Sequence, residues 1–227
     1  MPAFHARGQS PYSDNPRAEM LAFVPDLAAT VLDVGCHTGA FGRGLKQARH
    51  CEVWGVEINP YSAEAAAKVL DRVVCGPFET TLALPDAYFD AVVFNDVLEH
   101  MVDPWSALHL TRQKLRAGGC VVASIPNLRY ICNLRHILLD GDFRYEDEGI
   151  RDRTHLRFFT RKSMLALFED CGYTVRTMTG IQRYRAQSRA KKAISRLLVG
   201  SLEDLNFLQY AVVATHDSQT ADSPDKR

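Results

Sequence analysis

The first strongly apolar run of the sequence leads into a glycine-rich stretch, VLDVGCHTGAFGRGL, from Val31 to Leu45. The stretch lacks the Lys-Ser/Thr pair of a phosphate loop, and its glycine spacing does not fit a dinucleotide fingerprint. Asp33, before the first glycine, would repel a pyrophosphate and suits a cationic ligand, while the glycines let that ligand approach the backbone closely. Glu57 ends the next apolar run, and an acid about 20 residues after such a loop accepts hydrogen bonds from ribose hydroxyls. An acid for an ammonium, close-contact glycines and an acid for a ribose together indicate S-adenosylmethionine.

A second group of reactive side chains lies later in the chain, in NDVLEH and DRTHLRFF: Asp96, Glu99, His100 and His155. In one hypothesis His155 or His100 is a general base, because the pKa of histidine lies close to working pH. In the alternative, all four side chains bind a divalent metal that acidifies a substrate hydroxyl. In a third interpretation Glu99 and His100 only cap the helix that follows and brace the lid. We favour the general base, so the site prediction contains no metal.

Strand-like apolar runs alternate with helical patterns over most of the chain. The predicted strands are TVLDVG, CEVWGVEI, DRVVCG, FDAVVFND, CVVASIPN, TVRTMTGI and FLQYAVVATH. Predicted helices begin after the glycine loop, at Ser62, after an Asp103 N-cap with Pro104 in first position, and after a Thr160 N-cap. The helix after Asp103 is expected to end at glycines 118 and 119, and Cys171-Gly172 to stop the last helix. This alternation predicts an α/β, doubly wound parallel sheet that binds its ligand at the carboxyl ends of the strands.

Two segments do not follow this alternation. Residues 127–159 are rich in arginine, aromatic and acidic side chains, and we expect them to form a lid inserted after the fifth strand. Residues 181–200 are predicted to be a basic helical segment, and its part from 183 to 196 carries six basic residues and no acid. That part is a solvated helix in the simpler interpretation, and a peripheral membrane contact or a surface for an anionic acceptor in the other.

The composition is that of a globular protein, with 227 residues, 46% hydrophobic and 24% charged, and a formal net charge of zero. No global field therefore drives the chain to nucleic acid or a membrane, and nucleic acid is not an expected partner. The first ten residues lack the apolar core of a signal peptide, and no apolar run is long enough to span a bilayer. The six cysteines are scattered, which indicates free thiols and a cytoplasmic location. We expect one domain over residues 1–216 and a disordered tail over 217–227.

These motifs resemble those of the class I S-adenosylmethionine-dependent methyltransferases. The matching stretches are VLDVGCHTG, GVEINP, FDAVVFNDVLEHMVDPWSAL and LRAGGCVVASIPN. DVLEH-x-x-DPW and D-x-THLRFFT resemble the group around the ubiquinone-biosynthesis O-methyltransferases and the methyltransferases of bacterial glycan clusters. The resemblance implies a Rossmann-like, seven-stranded sheet with an antiparallel last strand.

The same resemblance implies roles for individual residues. It places Asp33, Gly35 and Gly39 at the methionyl part of the cofactor, Glu57 at the ribose, Ile58 and Phe78 at the adenine, and Asn95 beside the methionine. Pro77 stands where many relatives have an acid for the adenine amino group, and Glu79 is a substitute for it. His37 stands where relatives commonly have glycine, and we interpret it as solvent-facing or as a contact at the cofactor edge.

The expected function is S-adenosylmethionine-dependent O-methylation of a small molecule or glycan, with His155 and His100 as the catalytic residues. The alternatives are a ubiquinone-like phenol as the acceptor, or a non-catalytic protein that binds S-adenosylmethionine within a complex. A nicotinamide oxidoreductase on the same fold is disfavoured by the loop spacing and by Asp33.

Overall fold

A computed structural model describes residues 16–184 and 203–216 of the chain. It contains one seven-stranded sheet in the order β3-β2-β1-β4-β5-β7-β6. The strands are β1 Thr30–Val34, β2 Glu52–Glu57, β3 Arg72–Cys75, β4 Phe89–Asn95, β5 Leu115–Pro126, β6 Thr174–Arg183 and β7 Phe207–Thr215. The α-helices are α1 Ala40–Ala48, α2 Pro60–Ala66, α3 Pro104–Lys114, α4 Ile131–Arg135 and α5 Arg161–Asp170. A 3-10 helix, Ala18–Phe23, precedes β1.

The sheet is parallel from β3 across to β5, and β7 runs antiparallel to both of its neighbours, β5 and β6. The predicted α/β, Rossmann-like sheet with an antiparallel last strand is confirmed. Strand order reverses between β1 and β4, so the loops that follow these two strands diverge and leave a cleft. The glycine-rich loop after β1 and the turn after β4 therefore lie side by side at one edge of the sheet.

The central strands are buried on both faces, which explains their nearly continuous apolar sequences. Alternate residues of β1 and β4 enter two separate cores: Leu32 and Phe94 belong to one, Val31 and Val93 to the other. This two-sided burial holds the ends of β1 and β4 rigidly, and with them the start of each loop in the cleft.

Two predicted helix boundaries are wrong, for local reasons. α2 begins at Pro60 rather than at Ser62, because the Asn59 side chain accepts hydrogen bonds from the backbone of Tyr61 and Ser62. The glycines after α3 do not end it, since the chain passes directly from Lys114 into β5 and Gly118 lies within that strand at φ +79°. The predicted N-caps Asp103 and Thr160 are confirmed, and each accepts a backbone hydrogen bond in the first turn of its helix.

The segment 127–159 leaves and rejoins the sheet at one place, where Leu128 N donates to Phe159 O over 2.8 Å. Asn127 anchors its start, with Nδ2 donating to the carbonyls of Asp204 and Phe207. Within it lie α4, a π-helical turn His136–Asp140 and isolated bridges. The segment is thus an insertion fixed at both ends, and its action as a lid belongs to the proposals below.

The predicted basic helical segment 181–200 is corrected at its start, because residues 181–183 complete β6. Its remainder from 185, and the predicted tail 217–227, lie outside the described residues. All six cysteines are described and are free, with Cys36, Cys120 and Cys171 buried. Among residues 16–184 and 203–216, the helices lack the combination of length and apolar composition that a membrane span requires.

Candidate functional site

The loop after β1 has a backbone that requires glycine at two positions. Gly35 and Gly39 have φ values of +73° and +81°, in the left-handed region that side chains disfavour. A Cβ at Gly35 would lie 2.6 Å from Val97 Cγ2, and one at Gly39 would lie 2.7 Å from Val69 Cγ2. The loop therefore turns tightly against the structure behind it and leaves its own backbone open to a ligand.

Asp33 brings an uncompensated acid to this loop. Its side chain is almost fully buried, at 2% exposure, and Oδ2 has no hydrogen-bond partner in the described part of the chain. Burial, and then the negative charge of Glu57, raise the pKa of Asp33 to about 8. A cationic group bound beside it would supply the missing partner and restore the ionised form. These properties fit the ammonium of a methionyl group.

Glu57 at the end of β2 is held in place by two backbone donors. Oε2 accepts from His37 N and Oε1 from Asn59 N, each over 2.8 Å. Each carboxylate oxygen has a further lone pair, so this fixed carboxylate can also accept hydrogen bonds from two hydroxyl groups. Ile58 is 59% exposed directly after it. The end of β2 thus offers an acid for a ribose beside an uncovered apolar side chain for an adenine.

Asn95 lies across the sheet from the glycine loop, since Val34 pairs with Phe94 in the β1–β4 register. Neither Asn95 Nδ2 nor Oδ1 has a partner among the residues described, and the same holds for His37 Nε2. Unsatisfied buried polar groups are rare in folded proteins and call for a ligand or water. Such unsatisfied groups lie together at one edge of the sheet, on Asp33, His37 and Asn95.

Phe78 follows β3 on a loop and is half-buried. Its ring packs against Phe94 with the ring centroids 5.8 Å apart. Pro77 and Glu79 on either side are exposed. The loop is therefore fixed to the core through one aromatic contact.

A second cluster, which we call the Glu99/His100/His155 cluster, combines the turn after β4 with the insertion. One potential ligand atom from each residue lies within 4.8 Å of the others. The two imidazole rings are 4.6 Å apart and roughly perpendicular. Leu156 N and Arg157 N both donate to Glu99 O, at 2.9 and 3.0 Å, so the backbone ties the two elements together.

The hydrogen bonds of the two histidines define their tautomers. His155 Nδ1 lies 2.9 Å from Ile150 O, and His100 Nδ1 lies 3.2 Å from Thr154 O. A carbonyl only accepts, so in each neutral ring Nδ1 carries the proton and Nε2 carries the lone pair. Both histidines can therefore accept a proton, or bind a metal, through Nε2.

Glu99 is the most unusual member of the cluster. It is 1% exposed, and neither carboxyl oxygen has a hydrogen-bond partner in the described ranges. Burial, followed by the charge of Asp96, raises the pKa of Glu99 well above its usual value. Burial and the neighbouring His155 lower the pKa of His100. Both groups therefore favour their neutral forms in the free protein.

A family model described as a methyltransferase domain matches residues 7–178, more than half of the chain. The chain belongs to this methyltransferase family. The predicted family and S-adenosylmethionine as the cofactor of its class are confirmed by this match and by the fold.

Two curated relatives match this methyltransferase domain over shorter stretches. A ubiquinone biosynthesis O-methyltransferase of Alkalilimnicola ehrlichii is 33% identical over 103 residues, 43% of this chain and 41% of that protein. A 27-O-demethylrifamycin SV methyltransferase of Amycolatopsis mediterranei is 35% identical over 99 residues, 39% of this chain and 35% of that protein. The chain spans less than half the length of the first curated relatives that it matches.

Among solved structures, a SAM-dependent methyltransferase of Archaeoglobus fulgidus superimposes with a TM-score of 0.64. Its sequence is 22% identical, and the match covers 87% of this chain and 90% of the other. At this identity the likeness shows the fold alone.

Sequence reasoning missed part of the methyltransferase cleft. The Asp96 carboxylate is paired with the Arg17 guanidinium and accepts from Gln209 Nε2 over 2.9 Å and from Ser124 Oγ over 3.0 Å. Asp96 therefore does not belong to the group of potential metal ligands. Among the described residues, that group contains only the other three predicted members, Glu99, His100 and His155. No local pattern identifies Arg17 or Gln209, because both are far from Asp96 in sequence.

Proposed function

We propose that this protein transfers the methyl group of S-adenosylmethionine to a hydroxyl oxygen of a small-molecule acceptor, with His155 as the general base. One observation carries the proposal. A buried histidine with a defined Nε2 acceptor comes from the insertion and meets the turn directly after Asn95, beside the unsatisfied polar groups of the cofactor cleft.

On the cofactor side, we assign Asp33 to the methionyl ammonium, Gly35 and Gly39 to backbone contact, and Glu57 to the ribose hydroxyls. Ile58 and Phe78 are assigned to the adenine, and Asn95 to the methionine moiety. The bound cofactor supplies an electrophilic methyl group on a sulfonium. The residues of the chain then orient the acceptor in line with it, and this positioning supplies most of the rate.

On the acceptor side, His155 Nε2 takes the hydroxyl proton as the oxygen attacks. The imidazolium that forms holds this proton beside Glu99, which is neutral in the free protein and keeps its own proton during the step. His100, whose pKa is lowered by burial and by the neighbouring His155, is a weaker base than an ordinary histidine. The insertion 127–159 acts as a lid in this proposal, because it carries His155 over the edge of the sheet.

Metal-assisted transfer is a second candidate, and a specific observation favours it. Glu99, His100 and His155 present one carboxylate oxygen and two imidazole nitrogens within 4.8 Å of one another, a donor set that divalent transition metals accept. In that case the three residues would hold the metal, which would lower the pKa of the acceptor hydroxyl.

The surroundings of His155 favour an aromatic acceptor over a glycan. Phe158 lies 6.3 Å from His155 between ring centroids and packs edge to face with Phe143 at 5.3 Å. Aromatic rings gain stabilisation from stacked or edge-to-face contact with another ring. The name of the relative from Alkalilimnicola ehrlichii, a ubiquinone biosynthesis O-methyltransferase, supports a phenol as the first acceptor to test. Two further proposals are a surface-polysaccharide glycan as the methyl acceptor and membrane contact through residues 183–196.

The test is a screen for cofactor consumption against phenols, nucleotide-sugars, glycans and RNA. We expect turnover with a phenol. Cofactor binding without turnover on any acceptor would instead support a non-catalytic partner protein.

His155→Ala is the matching variant. It should lower turnover on the order of a hundredfold or more, the usual loss of a general base, and leave cofactor affinity nearly unchanged. Turnover within a few-fold of the parent, in a variant first shown to be folded, would exclude His155 as the base.

Metal removal separates the two candidate mechanisms. A general base predicts that EDTA leaves turnover unchanged, whereas loss of turnover that magnesium or manganese restores would establish the metal-assisted mechanism.

A further inference from the structure

Arg17 is buried although its side chain is charged and comes from the start of the described chain. It is 8% exposed and precedes the 3-10 helix Ala18–Phe23 in a left-handed conformation, with φ 46°. Arginine is almost never this buried unless it is paired. Its burial therefore points to a specific partner within the protein.

Arg17 Nε pairs with Glu19 Oε1 over 3.2 Å, and the rest of the guanidinium joins Asp96 in a closed ring of three side chains. The Arg17 guanidinium pairs with Asp96 Oδ2 through Nη1, and Nη2 donates to Gln209 Oε1 over 2.9 Å. Gln209 Nε2 in turn donates to Asp96 Oδ1 over 2.9 Å. The ring joins the segment before β1, the turn after β4 and strand β7, which local sequence does not connect.

Asp96 also has a strained backbone, at the start of the turn after β4. Its φ is +55°, an uncommon value for a residue other than glycine. It directly follows Asn95 and begins the turn that carries Glu99 and His100. Asp96 N donates to Ser124 Oγ over 3.0 Å, so the side-chain ring and this bond together hold the turn.

We infer that Arg17 is a positioning residue for methyl transfer: through Asp96 it holds the turn that presents Glu99 and His100 to His155. This inference rests on the proposed function. Without the guanidinium, the half-buried Asp96 carboxylate would keep only the neutral donors Gln209 and Ser124, and a partly buried charge that loses its partner is costly. The turn is then expected to relax, and Glu99 and His100 are expected to shift relative to His155.

Arg49 provides a matched control. Its guanidinium donates to the carbonyls of Leu21, Val24 and Pro25, so it anchors the same N-terminal segment without contacting Asp96. Arg17→Met and Arg49→Met should both lower the melting temperature. Only Arg17→Met should lower kcat, on the order of tenfold to a hundredfold as for a small misplacement of catalytic groups, with KM for S-adenosylmethionine within about threefold of the parent.

Two further variants separate positioning from mere stability. Arg17→Lys keeps the charge and should recover part of kcat. Adding Asp96→Asn to Arg17→Met removes the unpaired carboxylate and should raise kcat above that of the single variant. Equal loss of kcat in Arg17→Met and Arg49→Met, or a double variant no more active than Arg17→Met, would overturn the inference.

A readout that does not depend on activity distinguishes this inference from the proposed function. The imidazole ¹H–¹⁵N spectrum of His100 and His155, assigned by single substitutions, should change in Arg17→Met and stay the same in Arg49→Met. If the parent protein shows no methyl transfer, the proposed function fails, and the spectrum still decides whether Arg17 positions the cluster. An unchanged spectrum in Arg17→Met would contradict the role of Arg17.

Discussion

At the scale of single residues, several polar side chains of the cofactor cleft lie in electrostatically unfavourable surroundings. Asp33 and Glu57 lie at the ends of neighbouring strands, and the charge of Glu57 adds to the effect of burial in raising the pKa of Asp33. Asn95 adds an amide without partners among the described residues. Groups that cost stability in the free protein become useful when a cationic, hydroxyl-bearing ligand binds, because its polar groups then satisfy them.

Asp33 should make stability depend on pH in a defined direction. Its pKa is about 8 in the folded protein against an ordinary value of 3.8, so the folded protein binds this proton more tightly than the unfolded chain does. The free energy of unfolding should therefore fall as pH rises between these two values, and level off above them.

Asp33→Asn removes this contribution and leaves the rest of the chain unchanged. Denaturant unfolding of the two proteins, without ligand, from about pH 5 to pH 9, should give a difference in stability that grows with pH and favours the variant. A difference independent of pH would show that Asp33 is ionised in the folded protein.

Glu57→Ala should weaken binding of S-adenosylmethionine by about 2 kcal/mol, as expected for charge-assisted hydrogen bonds to two hydroxyls. Glu57→Gln keeps the shape and tests the charge alone, so it should bind with intermediate affinity. Calorimetry measures both, and unchanged affinity in Glu57→Ala would remove this residue from the ribose site.

At the scale of elements, short helices depend on their first turn. α2 has seven residues, and its N-cap is Asn59, which also donates its backbone N–H to Glu57. This helix start therefore helps to hold the carboxylate that we assign to the ribose. The Asn-Pro pair is itself a start signal, but Ser62 offers a competing one a few residues later.

Asn59→Ala should cost roughly 1 kcal/mol of stability, the usual value for a lost N-cap, whereas Ser62→Ala should cost much less. Denaturant unfolding compares the two variants directly. Equal losses, or a larger loss for Ser62→Ala, would place the functional start of α2 where the sequence pattern first suggested it.

At the scale of the whole molecule, the sheet order decides which ligand the cleft can take. The reversal between β1 and β4 brings the glycine loop, Glu57 and Asn95 to one edge, and the insertion covers the adjacent turn. S-adenosylhomocysteine shares the ammonium and ribose of the cofactor, and its ammonium can pair with ionised Asp33. NAD has no such ammonium, and its pyrophosphate would raise the pKa of Asp33 further.

S-adenosylhomocysteine should therefore raise the melting temperature, and NAD should not. The shift should grow with the logarithm of ligand concentration once the site is saturated. Thermal unfolding with each ligand at matched concentrations measures it. Stabilisation by NAD but not by S-adenosylhomocysteine would favour a nicotinamide oxidoreductase over a methyltransferase.

The sequence by itself determined the sheet class, the glycine loop and the caps of α3 and α5. These features are local: apolar periodicity, a glycine with positive φ and a side chain that accepts from the next backbone turn all act within a few residues. Asp33, Glu57 and Asn95 could be placed at the cleft for the same reason, since each lies at the end of a strand.

Only the tertiary structure decided which acids are engaged and which are left without partners. Asp96 and Glu99 stand three residues apart, yet Asp96 is paired with Arg17, 79 residues away, and with Gln209, 113 residues away, while the carboxyl oxygens of Glu99 have no hydrogen-bond partner in the described chain. His100 meets Thr154 across 54 residues. Such pairings follow from strand order and burial, which bring distant side chains together, and no pattern within a few residues encodes them.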